Sequence, residues 1–158
     1  IKEEILDEMN LTEEESFTTI HNYIDTESMI LRKGAVSAKA GEILLIPMNM
    51  RDGSLICTGL GNEKWNYSAP HGAGRLLSRK DAFNSFTLDA YKNSMEGIFT
   101  TSVSKDTIDE CPMVYKPMTE IMRNIKDTVT VNKIIKPIYN FKASENGTSR
   151  KKEKERRE

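Results

Sequence analysis

Apolar positions along the chain alternate between helical and strand spacing, and the switches predict its elements. Two short helices are expected at the start: Thr12 with Glu15 fits a capping box, and Phe17, Ile20, His21 and Ile24 then fall on one helical face. The run Met29-Ile30-Leu31 reads as a strand entering a turn at Arg32-Lys33-Gly34-Ala35. Residues 43–47 have the apolar run of a buried strand. Residues 54–58 are the expected partner across the Arg51-Asp52-Gly53 turn.

The stretch 59–70 is rich in Gly, Asn, Tyr and Trp and reads as an ordered loop, after which Leu76-Leu77 marks an expected helix start. Residues 81–110 show no period that assigns them. A helix around 119–126 and a strand around 128–138 complete the pattern. From Ser144 onward, small polar residues lead into a charged run with the composition of a disordered tail. Asn146-Gly147-Thr148 within it matches a glycosylation acceptor but reads as a plain turn. There is no internal repeat. Strands not regularly separated by helices predict an α+β fold, with mixed helices and an antiparallel-rich sheet.

Composition narrows the class. At 158 residues, 37% hydrophobic and 30% charged, the chain is expected to fold as one soluble domain. No apolar run reaches membrane-spanning length, and the start lacks the basic and apolar regions of a signal peptide. The first residue is Ile1 rather than Met, as in a processed or excised piece. The net charge of −1 is unevenly spread: residues 1–16 carry −6, the middle +2, and residues 150–158 +3. A nucleic-acid partner would therefore need a local basic patch. Cys57 and Cys111 are single and widely spaced, which points to neither a disulfide framework nor a zinc site and suggests a reducing cytoplasm.

The densest candidate chemistry is Ser68-Ala69-Pro70-His71-Gly72-Ala73-Gly74-Arg75, followed by Ser78-Arg79. Gly72 and Gly74 allow close main-chain approach, and backbone N–H groups in such a turn make a concave anion site. Arg75 and Arg79 could hold phosphate oxygens, and a neutral His71 imidazole could attack phosphorus. The competing reading is a structural histidine packed in a glycine-rich turn, and local chemistry leaves both open. His21 is either a half-buried helical histidine or one ligand of a metal site whose partners are not nearby in sequence. Asn49 and Ser54 flank the Arg51-Asp52-Gly53 turn and could contact phosphate or cap the turn. Tyr115 and Lys142 lie outside any local motif. Trp65 and Tyr67 could stack on RNA bases or pin their loop.

A set of blocks occurs in order: His21-Asn22-Tyr23, Arg32-Lys33-Gly34-Ala35, Ile46-Pro47, His71-Gly72-Ala73-Gly74-Arg75 with Ser78-Arg79, Tyr115-Lys116, and Lys136-Pro137 through Lys142. Together they resemble the C-terminal portion of the RtcB family of RNA-splicing ligases, over about residues 15–143. The resemblance divides the chain into an acidic helical segment (1–16), an RtcB-like guanylate-binding portion (17–143) and a charged tail (144–158), an incomplete part of a larger fold. It implies joining of RNA 3′-phosphate or 2′,3′-cyclic phosphate ends to 5′-hydroxyl ends, with GTP and Mn²⁺. His71 would be the nucleophile that becomes guanylylated, and His21 a Mn²⁺ ligand. Asn22, Pro47, Met48, Asn49, Met50, Ser54, Gly72, Ala73, Gly74, Arg75, Tyr115 and Lys142 would surround the nucleotide, with Lys142 reading the guanine carbonyl edge.

Two departures accompany the resemblance. Met48-Asn49-Met50-Arg51-Asp52 stands where the family commonly has Gly-Ser-Met-Gly-Thr, so Asn49 replaces a serine. The family's other metal ligands belong to an N-terminal portion not found in this sequence, and Cys57 and Cys111 do not match its cysteine. The expected partners are GTP, RNA ends and an N-terminal RtcB-like portion or complementary chain, with no membrane. By itself the chain is expected to be inactive. The alternative is a non-catalytic guanine-nucleotide or RNA-binding subunit.

Overall fold

The structure, a computed structural model, describes residues 1–142. The chain is α+β, with short helices around two three-stranded antiparallel sheets. Helix α1 (Lys2–Glu8) is followed by β1 (His21–Asp25) and β2 (Ile30–Ser37), which form one sheet with β5 (Ser68–Pro70) in the order β1-β2-β5. The second sheet joins β3 (Ile43–Asn49), β4 (Gly53–Gly59) and β6 (Val129–Ile135) in that order. Helices α2 (Arg79–Ser85), α3 (Leu88–Ser94) and α4 (Met118–Asn124) lie between β5 and β6, with short 3₁₀ turns at Glu63–Trp65, Lys105–Glu110 and Pro112–Val114.

The β3–β4 hairpin forms where its apolar runs and the Arg51-Asp52-Gly53 turn place it, around Gly53 at φ 86°. Leu44, Ile46, Leu55 and Cys57 are buried from it, with Val36 and Ala69 of the other sheet, Ile121 of α4 and Ile125 at its C-cap, in one apolar core. A second core, under α2 and α3, collects Met50, Ala82, Tyr91, Met95, Cys111 and Val114. Tyr115 packs against both. The expected helix at Leu76-Leu77 begins instead at Arg79. Ser78 is its N-cap, its Oγ accepting the Asp81 N–H at 3.1 Å.

Two expectations fail, for physical reasons. Residues 11–20 form no helix, and His21 and Ile24 lie on strand β1. The helical spacing coincided with a period of two, in which Tyr23 and Asp25 both bond Arg32. Thr19 binds the hairpin instead of a helix, its Oγ1 accepting the Leu45 N–H at 3.1 Å. The second failure is the turn at 32–35, which lies within β2. Arg32 is 1% exposed; its guanidinium donates to Ser68 Oγ (3.0 Å), Tyr23 Oη (3.1 Å) and the Asn66 and Tyr67 carbonyls, and pairs with Asp25. A buried arginine with these partners joins β1, β2 and the 66–68 segment. Gly34, at φ 69°, marks a bulge rather than a turn: the β1–β2 register shifts between His21 and Tyr23. The tail expectation and Asn146-Gly147-Thr148 lie outside the described residues.

Candidate functional site

The loop from Pro70 to Ser78 is stitched to three parts of the fold. The His71 N–H donates to the Gly34 carbonyl (3.3 Å) and the Ala73 N–H to that of Pro47 (3.0 Å). Leu76 N–H and Gly74 C=O bond Val114 C=O (2.7 Å) and Lys116 N–H (3.1 Å). Two glycines have distinct reasons. At Gly72 a Cβ would come within 3.2 Å of the Pro47 carbonyl oxygen, so a side chain there would crowd that carbonyl and force a small shift. At Gly74 there is open space, and φ +72° is the requirement.

This stitching brings the two histidines together. The rings of His21, at the start of β1, and His71 stack with centroids 5.1 Å apart and planes 26° from parallel. Both residues are exposed. The β1–β2 bulge holds the pair: Asn22, at φ 55°, accepts the Gly34 N–H on Oδ1 at 2.7 Å, and a Cβ on Gly34 would lie 3.9 Å from His71 Nε2. Burial, then His21 and Lys33, hold the His71 imidazole below its ordinary value. The shift favours the neutral imidazole, with a nitrogen lone pair.

A second cluster forms where the loop meets the Lys105–Glu110 turn. Glu110 accepts the Tyr115 hydroxyl at 3.0 Å and pairs with Lys142 Nζ at 3.1 Å and Arg75 Nη1 at 3.7 Å. Arg75 also donates to Leu77 O (3.1 Å), Asp109 O (2.6 Å) and Tyr115 Oη (3.3 Å), and its guanidinium lies 5.3 Å from the Tyr115 ring centroid. Burial and the Glu110 carboxylate push the Tyr115 phenol up to about 12. Arg75 is thus a loop clamp in this structure, with its donors engaged by protein.

The remaining residues divide by what they can offer a ligand. Pro47 adjoins Gly72 and Ala73. Met48 and Met50 are buried in the two cores, so their side chains face away from solvent, and Met50 also accepts Tyr91 Oη on sulfur and Asn140 Nδ2 on its carbonyl. Asn49 closes the hairpin turn: Oδ1 accepts the Arg51 and Asp52 N–H groups (3.0 and 2.8 Å), and Nδ2 donates to Asp52 (2.9 Å). Ser54, half-buried, sits opposite Pro47 in the hairpin register. Lys142 reaches the cluster through Glu110, with its backbone N–H on Ser102 Oγ at 2.8 Å. Sequence reasoning missed Glu110. Its signal was an acid just before Cys111-Pro112 and five residues ahead of Tyr115, on a segment without helical period.

A metal ion fits these residues poorly on their own. Among the described residues no group of three or more His, Cys, Asp or Glu side chains could hold one, so His21 would be a single donor. Cys57 and Cys111 are free and fully buried, and burial raises both thiols, Cys57 to about 11. No helix among the described residues is long and apolar enough to cross a membrane.

Comparison with known proteins converges on one family. A family model described as tRNA-splicing ligase RtcB matches residues 2–143. The chain is 39% identical over 119 residues to the RNA-splicing ligase RtcB of Escherichia coli strain K12, covering 70% of this chain and 28% of that protein. It is 35% identical over 86 residues to the tRNA-splicing ligase RtcB of Aeropyrum pernix (51% and 18%), and 31% identical over 97 residues to that of Thermococcus kodakarensis (58% and 20%). The chain thus spans little more than a quarter of the length of the E. coli relative. With the family match running through both histidines, the glycine-rich loop and Lys142, the chain belongs to the RtcB family.

Proposed function

We propose that this chain contributes the guanylylated histidine of an RtcB-type RNA ligase, and that His71 is the nucleophile. The observation that carries the reading is the stacked His21–His71 pair, which the fold builds from two distant segments beside a glycine-rich turn. In this reading the neutral His71 nitrogen attacks the α-phosphorus of GTP, an N–P bond forms and pyrophosphate leaves. An RNA 3′-phosphate oxygen then attacks that phosphorus, the N–P bond breaks, and the imidazole is restored. Attack by a 5′-hydroxyl on the activated 3′-phosphate joins the strands and releases GMP; ends that begin as 2′,3′-cyclic phosphates are first hydrolysed.

The chain's own residues prepare the first step. The depressed basicity of His71 keeps its lone pair available, and the main-chain N–H groups of Gly72 and Gly74 would suit the guanylate phosphate, the Ala73 N–H being taken by the Pro47 carbonyl. Pro47, Met48, Asn49, Met50 and Ser54 would line the nucleotide, the methionines through their main chain. Tyr115 and Lys142 would flank the guanine, with Glu110 holding both. Mn²⁺ is the metal this reading implies, with His21 as this chain's donor and the other ligands supplied by an RtcB-like N-terminal portion. The implied compartment is the cytoplasm, consistent with two free, buried cysteines.

The test is labelled GTP with Mn²⁺, followed by detection of an acid-labile adduct. The full chain alone is expected to give little or none. Adding the N-terminal portion of the E. coli relative is expected to produce an adduct that His71→Ala abolishes. A strong adduct on the isolated chain would refute the dependence on outside ligands. No adduct in either arm would favour the non-catalytic nucleotide- or RNA-binding subunit.

A further inference from the structure

Beside the histidine pair lies a cleft of about 360 Å³, bounded by β2, the Glu63–Trp65 turn and the end of α4. Its volume is in the range of small-ligand pockets. Trp65 lines it and stays 57% exposed. This ring is not what holds its loop. Asn62 does that: its Oδ1 accepts the Lys64 N–H at 3.0 Å, its Nδ2 donates to the Asp127 carbonyl at 2.8 Å, and its carbonyl accepts the Tyr67 N–H at 3.0 Å. Arg32 holds the Asn66 and Tyr67 carbonyls from below, both at 3.4 Å. The result is a large aromatic ring on a firmly tied loop with its surface left open.

The other walls mix apolar side chains, Ile30, Leu31 and Ala69 among them, with polar ones. Lys33, Asn66 and Asn124 supply a cation and two amides, and no carboxylate lines the cleft. Its far end is formed by Gly34 and Pro70. Pro70 immediately precedes His71, and the Gly34 carbonyl accepts the His71 N–H at 3.3 Å. The cleft therefore ends at the backbone that carries His71.

We propose that this cleft seats the end of a single RNA strand, one base against Trp65 and the adjoining phosphate beside Lys33, and so leads the 3′ terminus to His71. This rests on the ligase reading above. An open aromatic face with a neighbouring cation and amides, and no acid, is how single strands are held without sequence preference. A peptide strand added along β2 would instead need side-chain pockets at alternate positions, and the cleft offers one aromatic platform.

The chain contains a single tryptophan, so its emission reports on this cleft directly. The full chain is titrated with a short single-stranded RNA bearing a 3′-phosphate, and separately with GMP. The RNA is expected to quench Trp65 saturably, more weakly as salt rises, while GMP leaves the emission unchanged. By anisotropy of a labelled RNA, Trp65→Ala should weaken binding about tenfold with an unaltered far-UV spectrum, and Trp65→Phe should retain most of it. Lys33→Glu should weaken binding and flatten its salt dependence. RNA binding that neither alters Trp65 emission nor responds to Trp65→Ala overturns the proposal, as does absence of RNA binding. So does displacement of the RNA by an RtcB-like N-terminal polypeptide that itself shields Trp65, which would make the cleft a protein interface. Guanylate uptake by His71 without a Trp65 response to RNA removes this subsite and keeps the ligase reading. RNA quenching with no guanylate uptake even when the RtcB-like N-terminal portion is supplied supports the subsite and removes that reading.

Discussion

Replacing Glu110 by alanine should destabilise the chain by about 2 kcal/mol, because one carboxylate holds three groups from distant segments. Its oxygens accept Tyr115 Oη at 3.0 Å, meet Lys142 Nζ at 3.1 Å and face Arg75 Nη1 at 3.7 Å, and the Glu110 side chain is only 18% exposed. Hydrogen bonds to charged groups contribute about 1.5–3 kcal/mol each when their partners are left unsatisfied. Two features reduce the total. Lys142 is 40% exposed and regains water, and Arg75 keeps its bonds to Leu77, Asp109 and Tyr115. What remains is chiefly the Tyr115 bond and the uncompensated charge of Arg75. At this chain length about 2 kcal/mol corresponds to a fall in Tm of about 4–8 °C. Glu110→Gln can still accept from Tyr115 and should cost about half as much. A second readout is specific to the cluster. Burial first and the Glu110 carboxylate second push the Tyr115 phenol up to about 12, so either variant should lower its midpoint while burial keeps it above 10. Denaturant unfolding measures the stability, and ultraviolet titration against a Tyr115→Phe control isolates the phenol. A Glu110→Ala protein with unchanged Tm and an unmoved Tyr115 midpoint would show that these contacts do not hold the loop.

Three further outcomes follow from the same geometry. The His71 midpoint, read by NMR, should lie below 6.5; because the folded state then binds fewer protons than the unfolded, stability should rise with pH through the window below 6.5 and be lost on acidification, and His71→Gln should remove that slope. Arg32→Met should cost about 3–5 kcal/mol by chemical denaturation, since Asp25 and the Asn66 and Tyr67 carbonyls lose their shared donor; an effect under 1 kcal/mol would contradict the buried network. Gly74→Ala should cost about 1 kcal/mol with nothing displaced, and Gly74→Asn less, because the left-handed backbone and not crowding sets the requirement there; equal losses would indicate a steric cause.

Much of the site lies in one continuous segment, which is why it was readable. His71, Gly72, Gly74 and Arg75 are neighbours in sequence, and glycine at a left-handed position is a local property. The role of Arg75 was less readable. As a loose cation it could hold phosphate, but the fold surrounds it with carbonyls, Tyr115 and Glu110. Asn49 likewise had two local readings, and in the fold it caps the turn through three bonds to Arg51 and Asp52. Glu110 and Trp65 carried no period or motif of their own, so their surroundings alone give them meaning.

By itself the sequence determined the β3–β4 hairpin and the helix near 119–126, since each depends on contacts within a few residues, and the strand near 128–138 through its own apolar pattern, although its partner β4 lies far along the chain. It also determined the family, through motifs whose order survives without any three-dimensional knowledge. Only the tertiary structure decided that 21–25 is a strand, that 32–35 continues one, and that His21 lies against His71. The physical reason is that helical and strand periods coincide over five residues. The choice between them then falls to partners far along the chain, here the buried Arg32 and the Gly34 bulge, which together set the register that brings the two imidazoles into contact.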